Sequence, residues 1–198
     1  MYPKALYAGF NKVIDKKTCD KIIKLGKKQI LKQATIGSSD KNHLKKTRKS
    51  KVAFINDKWL YELLTPFLAQ ANQHSKWNYE YDWCENFQFT EYKKGQFYDW
   101  HCDSYEEPYN DPENPNEHGK IRKLSMTISL SDESEYKGGD LEFDLRNNED
   151  KPKKILCTEI KPKGSVVVFP SFIWHRIKPV TKGVRHSLVC WNLGRPFT

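Results

Sequence analysis

Several signals are missing from this chain, and each absence narrows what it can be. No apolar run approaches the length of a membrane span. Met1-Tyr2-Pro3-Lys4 has no basic head leading into an apolar stretch, so no signal peptide is visible. The five cysteines, Cys19, Cys84, Cys102, Cys157 and Cys190, are scattered and odd in number. They form neither a CxxC metal knuckle nor a disulfide framework, which points to a reducing, cytoplasmic setting. Internal repeats and low-complexity segments are absent too. Acidic residues are scarce at one end: residues 1–58 hold 16 Lys+Arg against 4 Asp+Glu, a net of +12 within an overall +9. That end could attract nucleic acid or an acidic protein surface; the plainer account is a solvated lysine-rich face that keeps a small protein soluble.

What remains is globular. With 198 residues, 37% hydrophobic and 13% aromatic, the chain can bury a real core as one domain. Cys19, Ile22, Ile23, Gly26 and Ile30 recur at helical spacing, and Thr18 is placed to cap that helix. Residues 37–51 are polar and basic and read as a loop. Val52-Ala53-Phe54-Ile55 is a short strand candidate. A second helix, capped by Asn56 or Asp57, has Trp59, Leu60, Leu63, Leu64, Phe67, Leu68 and Ala71 as its apolar face. Pro66 interrupts it and predicts a kink or a break.

From Trp77 the texture changes to strands. Residues 86–92 and 124–130 alternate, and 140–143, 165–169 and 186–191 follow, each bounded by turn residues. Helices followed by many short strands suggest helices packed on one face of a β-sandwich or barrel. Residues 104–120, with three prolines and five acidic residues, read as a long surface loop, either a lid or an unstructured insertion.

The candidate chemistry centres on His101-Cys102-Asp103, with His175 74 residues further on and Arg185 ten beyond that. Two histidines and a carboxylate suit a facial metal triad of the kind that holds Fe(II) and leaves positions open. His-x-Asp alone is weak, since chance supplies one in roughly a quarter of such chains. In an extended strand His101 and Asp103 project to one face, which turns Cys102 away as a packing residue. A lone histidine on an apolar segment, as His175 is, is more often a core residue than a ligand; its weight comes from the pairing.

The surrounding residues add a resemblance. Tyr92-x-x-Gly95-Gln96-x-Tyr98-x-x-His101-x-Asp103 resembles the prolyl 4-hydroxylase motif. Arg122-Lys123-Leu124-Ser125, Leu130-Ser131-Asp132 and Tyr136-Lys137-Gly138-Gly139-Asp140-Leu141 are similar to that family's central strand and Gly-Gly turn. Lys163-Gly164-Ser165, Val168-Phe169-Pro170 and the run from His175 to Arg185 are similar to its distal half, and Arg48-Lys49-Ser50 to its early Arg-x-Ser strand. The second and third blocks resemble most closely the bacterial Fe(II)/2-oxoglutarate hydroxylases called PKHD-type. The likeness spans roughly residues 10–195 in four ordered blocks.

This resemblance implies an α+β, mainly β fold: a double-stranded β-helix (jelly-roll) with N-terminal supporting helices. The expectation is one domain over 1–198, with mainly helical support over 1–76, including loop 37–51, and a jelly-roll core over 77–198, including loop 104–120. His101, Asp103 and His175 map onto the iron ligands. Arg185 maps onto the clamp for the far carboxylate of 2-oxoglutarate, Tyr92 onto a tyrosine that bonds the same cosubstrate, and Ser187 shares the strand face of Arg185. Collagen-type members usually carry Lys where this chain has Arg185; arginine keeps the charge and adds a bidentate fork. Tyr98, Arg122 and Trp191 map near the substrate groove. The implied cofactors are Fe(II), 2-oxoglutarate and O2, with ascorbate as an accessory, and the implied partner is a proline-bearing protein or peptide. Other readings of the residues are oxidative demethylation of alkylated nucleic acid, a non-catalytic jelly-roll binding module, and a zinc hydrolase. The first lacks its usual Arg-x5-Arg pair, because Arg185 and Arg195 are ten apart. The second and third leave Arg185 and Tyr92 without a role.

Overall fold

A computed structural model describes residues 5–29, 31–34, 47–105, 107–144 and 153–197. Ile30, most of the basic loop (37–46) and Glu106 of the acidic loop lie outside the described residues. Along the chain come β1 (Ala8–Phe10), α1 (Lys16–Lys28), β2 (Lys32–Gln33), β3 (Arg48–Lys49), β4 (Lys51–Ile55), α2 (Lys58–His74), β5 (Trp83–Cys84), β6 (Phe87–Lys93) and β7 (Phe97–His101). Then follow β8 (Ile121–Ser129), β9 (Tyr136–Gly138), β10 (Leu141–Asp144), β11 (Lys154–Leu156), β12 (Val166–Pro170), β13 (Trp174–Ile177) and β14 (Val180–Gly194). The strands make a major sheet in the order β1-β12-β8-β14-β6-β4-β2, with β5 and β9 also on β14, and a minor sheet in the order β11-β10-β13-β7-β3. Every pairing among them is antiparallel, as in a jelly-roll. No described helix is long and apolar enough to cross a membrane.

The two faces of the major sheet divide the labour. Phe87 and Phe89 of β6, Leu124, Met126 and Ile128 of β8, Val166 and Val168 of β12, and Leu188 and Cys190 of β14 point one way. There they meet Cys19 and Ile22 of α1 and Leu60, Leu64, Leu68 and Ala71 of α2, forming the main core. Alternate residues face the minor sheet, and most of these are polar: Gln88, Thr90, Thr127, Arg185 and Ser187. The period-two alternation in the sequence therefore separates core from cavity rather than core from solvent.

Both helices form as the spacing predicts, with differences at their ends. The cap of α1 is Asp15, not Thr18: its carboxylate accepts from the Thr18 N–H (3.0 Å) and the Thr18 hydroxyl (2.6 Å). Aspartate wins because it can accept both bonds at once while Thr18 already lies inside the helix. Gly26 lets α1 approach the sheet, because a Cβ there would run into the Phe89 ring. The N-cap of α2 is Asp57, although its side chain makes no capping bond. Pro66 neither breaks nor ends that helix, which continues to His74. Pro66 sits on the exposed side, where the carbonyl its ring leaves unbonded can be hydrated. The first 76 residues supply strands to both sheets as well as helices, with β1, β2 and β4 joining the major sheet and β3 the minor one.

The acidic loop is tied down in its described part. Tyr109 N–H donates to Lys120 O and Gly119 N–H to Tyr109 O, each at 2.9 Å. Tyr109 also donates its hydroxyl to Glu85 (3.1 Å).

Candidate active site

Neighbouring strands of the minor sheet set His101 and His175 opposite each other, as a cross-strand pair of β7 and β13. Each ring is fixed by its own local backbone: His101 Nδ1 lies 2.7 Å from Asp99 O and His175 Nδ1 2.9 Å from Ile173 O. A carbonyl can only accept, so Nδ1 carries the proton and the Nε2 lone pair of each ring is turned inward. Asp103 reaches the same point by a route different from strand alternation. β7 ends at His101, and the chain then turns, with the Asp103 and Ser104 N–H groups donating to Ser171 O (2.8 and 3.0 Å). Cys102 is accordingly not on the back of a strand; its thiol reaches Ser104 O.

Donor atoms of His101, Asp103 and His175 all lie within 4.8 Å of one another. His101 Nε2 is 3.8 Å and His175 Nε2 3.6 Å from the Asp103 carboxylate. These gaps are too long for hydrogen bonds and suit donors arranged around one ion. Burial, reinforced by His175, drops the His101 pKa to about 3, so this imidazole is neutral and its lone pair free to ligate. Burial alone would raise the Asp103 carboxyl; His175, His101, Arg122 and the Ser125 hydroxyl outweigh it and hold the pKa below the ordinary carboxylate value. Two imidazoles and one carboxylate are the donor set that a divalent iron accepts, so the residues present fit such an ion.

The cluster borders a small cavity with about 460 Å³ of empty space, its open mouth included. Its polar wall is the inner face of the major sheet. Arg185 sits there only 2% exposed, and among the described residues it forms no ion pair; its guanidinium donates to Ser187 (3.2 Å) and lies over the Tyr92 ring (5.6 Å). Gly139, at φ +65°, backs the Arg185 stem: a Cβ there would come within 2.9 Å of Arg185 Cδ. Tyr98 stacks on His101 with ring centroids 3.4 Å apart, and Arg48 covers its other face at 4.4 Å. Burial pushes the Tyr98 hydroxyl pKa up, so the phenol stays protonated. Trp191 is 7% exposed and its indole N–H has no acceptor among the described residues.

Tyr92, Tyr98, Trp191, Arg185 and Ser187 thus line one cavity together with the His–Asp–His cluster. Arg122 does not: its guanidinium makes two bonds to the Glu85 carboxylate (2.6 and 2.7 Å) and stacks on the far side of Trp191 at 3.9 Å. Sequence reasoning left out Gln88, Thr90, Thr127 and the apolar Leu141, Phe169, Ile177 and Val189 of the lining. It noted Arg48 only as part of a motif. The signal for most of them was present as the inward phase of the alternating strands.

A profile described as the 2OG-Fe(II) oxygenase superfamily matches residues 87–192, more than half of the chain. The chain belongs to that superfamily. The matched span contains every residue of the His–Asp–His cluster together with Tyr92 and Arg185. Its relatives include a PKHD-type hydroxylase of Synechococcus sp. (strain CC9902), 36% identical over 97 residues, which are 49% of this chain and 36% of that protein. A PKHD-type hydroxylase of Alteromonas mediterranea is 32% identical over 104 residues, covering 52% of this chain and 41% of that one. The chain therefore spans well under half the length of these relatives. Solved oxygenases share the fold. A Pseudomonas putida prolyl-4-hydroxylase superposes with a TM-score of 0.69 at 16% identity, over 96% of this chain and 94% of that one. A Trichoplax adhaerens prolyl hydroxylase, in complex with a peptide fragment of the hypoxia inducible factor oxygen degradation domain, gives 0.66 at 18% identity, over 94% and 83%.

Proposed function

We propose that this oxygenase is an Fe(II)- and 2-oxoglutarate-dependent hydroxylase acting on a prolyl residue of a protein or peptide. The whole chain acts as one domain. The observation that carries the reading is the pairing, across one cavity, of the His101–Asp103–His175 cluster with a buried arginine that has no acidic partner among the described residues. His101, Asp103 and His175 would hold the iron. Arg185 would take the distal carboxylate of 2-oxoglutarate, with Tyr92 and Ser187 completing that end. When bound, iron, 2-oxoglutarate and O2 supply the oxidising power, placing one oxygen atom on an unactivated C–H and the other in succinate as carbon dioxide leaves.

The protein's share is alignment and exclusion of water. Trp191 offers a flat apolar face and Tyr98, covered on both faces, its ring edge to a pyrrolidine ring, and the Trp191 N–H, without an acceptor among the described residues, is a donor for a peptide carbonyl. Arg122, fixed by Glu85, keeps the Trp191 ring in place from behind. The PKHD-type relatives, the prolyl hydroxylase folds and the peptide bound by one of them favour a prolyl peptide over nucleic acid. The test is succinate release with Fe(II), 2-oxoglutarate and ascorbate against a library of proline-bearing peptides, read by mass for one added oxygen. Turnover that survives His175→Ala or Asp103→Ala overturns the metal assignment; hydroxylation confined to other residues overturns the prolyl substrate.

A further inference from the structure

Against Asp103, outside the cavity lining, stand two serines that no step of the proposed reaction uses. Ser125 lies on β8 and Ser171 directly follows its major-sheet neighbour β12, in the turn towards β13, and both are wholly buried. The Ser125 hydroxyl donates to Asp103 Oδ2 (2.7 Å), and its oxygen lies 2.9 Å from Ser171 Oγ. A hydroxyl has one proton. With that proton given to the carboxylate, the Ser125 oxygen must accept, and Ser171 must donate. The result is a directed chain, Ser171 to Ser125 to Asp103, in which each bond polarises the next. The backbone of Ser171 works on the same residue: its carbonyl accepts the Asp103 N–H (2.8 Å) while its own N–H donates to Lys123 O (3.0 Å).

We infer that Ser125 and Ser171 are positioning residues that fix the Asp103 carboxylate for metal binding before any metal arrives. The inference rests on the proposed metal centre and deepens it. A free aspartate at a strand end samples several side-chain rotamers, and a metal must then supply the ordering. Here a two-serine chain holds one carboxylate oxygen and leaves the group to present its remaining lone pairs to the point where both Nε2 atoms converge. Because both serines stand at neighbouring major-sheet strands while Asp103 follows β7 of the minor sheet, the chain also ties the carboxylate to the separation of the sheets. Metal affinity thereby depends on how the jelly-roll closes, not on β7 alone.

The experiment is titration of the metal-free chain with Mn(II), followed by calorimetry or by the free-ion EPR signal, with the visible spectrum of the Co(II) form as a second readout. Ser125→Ala is expected to weaken Mn(II) binding about 10- to 100-fold and to change the Co(II) spectrum, as loss of a ligand-orienting partner does. Ser171→Ala is expected to weaken it several-fold, acting only through Ser125. The double variant is expected to match Ser125→Ala, since the far link does nothing once the near one is gone. Ser125→Thr, which keeps the hydroxyl, should recover most of the affinity. Mn(II) affinity within twofold of the parent in Ser125→Ala overturns the inference, as do losses that add in the double variant or that Ser125→Thr does not restore. If Ser125→Ala fails to fold, Ser171→Ala decides, and parent-like affinity there overturns the inference. A parent chain that binds neither Mn(II) nor Co(II) overturns the metal centre itself, a result distinct from the others.

Discussion

Replacing Arg185 with methionine should move two observables in opposite directions. The guanidinium is 2% exposed and, among the described residues, has no carboxylate to offset its desolvation. A buried charge held ready for a ligand costs the empty fold, and an apolar side chain of similar reach removes that cost. If the gain is about 1–2 kcal/mol, the thermal midpoint of the ligand-free chain rises by roughly 2–8 °C for a protein of this size. Binding should move the other way. Removing one partner of a buried ion pair costs about 3–5 kcal/mol, because the remaining charge is left uncompensated. At about 1.4 kcal/mol per tenfold, 2-oxoglutarate affinity falls by roughly a hundred- to a few thousandfold. Calorimetric titration of 2-oxoglutarate into the Mn(II)-loaded chain without oxygen measures the second effect, and thermal unfolding of the empty chain the first. Unchanged 2-oxoglutarate affinity removes Arg185 from cosubstrate binding. A lower thermal midpoint shows that the cation is already compensated in the empty protein.

Other outcomes follow from the same geometry. Mn(II) at about a hundred times its dissociation constant should stabilise the fold by about 2.7 kcal/mol, and a chelator should reverse this; a midpoint indifferent to both refutes a preformed centre. Gly26→Ala should destabilise by about 1–3 kcal/mol although alanine favours helices, because its methyl meets the Phe89 ring, and urea denaturation would reveal it. His186 is buried against Phe89 with Glu91 and Ser131 at its ring nitrogens; burial, aided by Lys27, lowers its pKa below the ordinary 6.5. The unfolded chain then binds more protons than the folded one below about pH 6.5, so stability falls as pH drops through that value. Thermal midpoints measured from about pH 7 down to about pH 5 should fall less steeply in His186→Gln than in the parent, and parallel slopes contradict the burial argument.

The metal cluster and its arginine were legible because ligands and long-range charges admit few substitutes. Histidine, aspartate and arginine at those spacings announce a chemistry, and the flanking Tyr92-x-x-Gly95-Gln96 fixes the phase. Ser125 and Ser171 were not legible as positioning residues, since a small hydroxyl inside a strand or turn has no signature apart from its contacts. Glu85 and Arg122 are 37 residues apart, and only the fold makes them a pair. The short strands β1, β2 and β3 have two or three residues each, too few for a periodic pattern, and exist because longer partners template them. Of the kink or break that Pro66 predicts, the break does not occur, because the rule describes a lost bond that water can repair on the exposed side. Asp15 was overlooked as a cap because Thr18, three residues on, is as good a residue type and only the backbone decides between them.

β14 presents Arg185, Ser187 and Trp191 to the cavity and His186, Leu188 and Cys190 to the helices, all on one uninterrupted strand. A one-residue insertion between 185 and 191 would exchange the two sets beyond it, putting Cys190 where the indole stands and turning Trp191 towards the core. The length of this segment is thus constrained more tightly than its composition. Against β8 the register shifts between Asn192 and Leu193, past the last cavity residue, and against β9 between Val180 and Lys182, before the first. Natural variants and designed chimaeras of this chain should accept a change in strand length outside these two steps and reject it between 185 and 191.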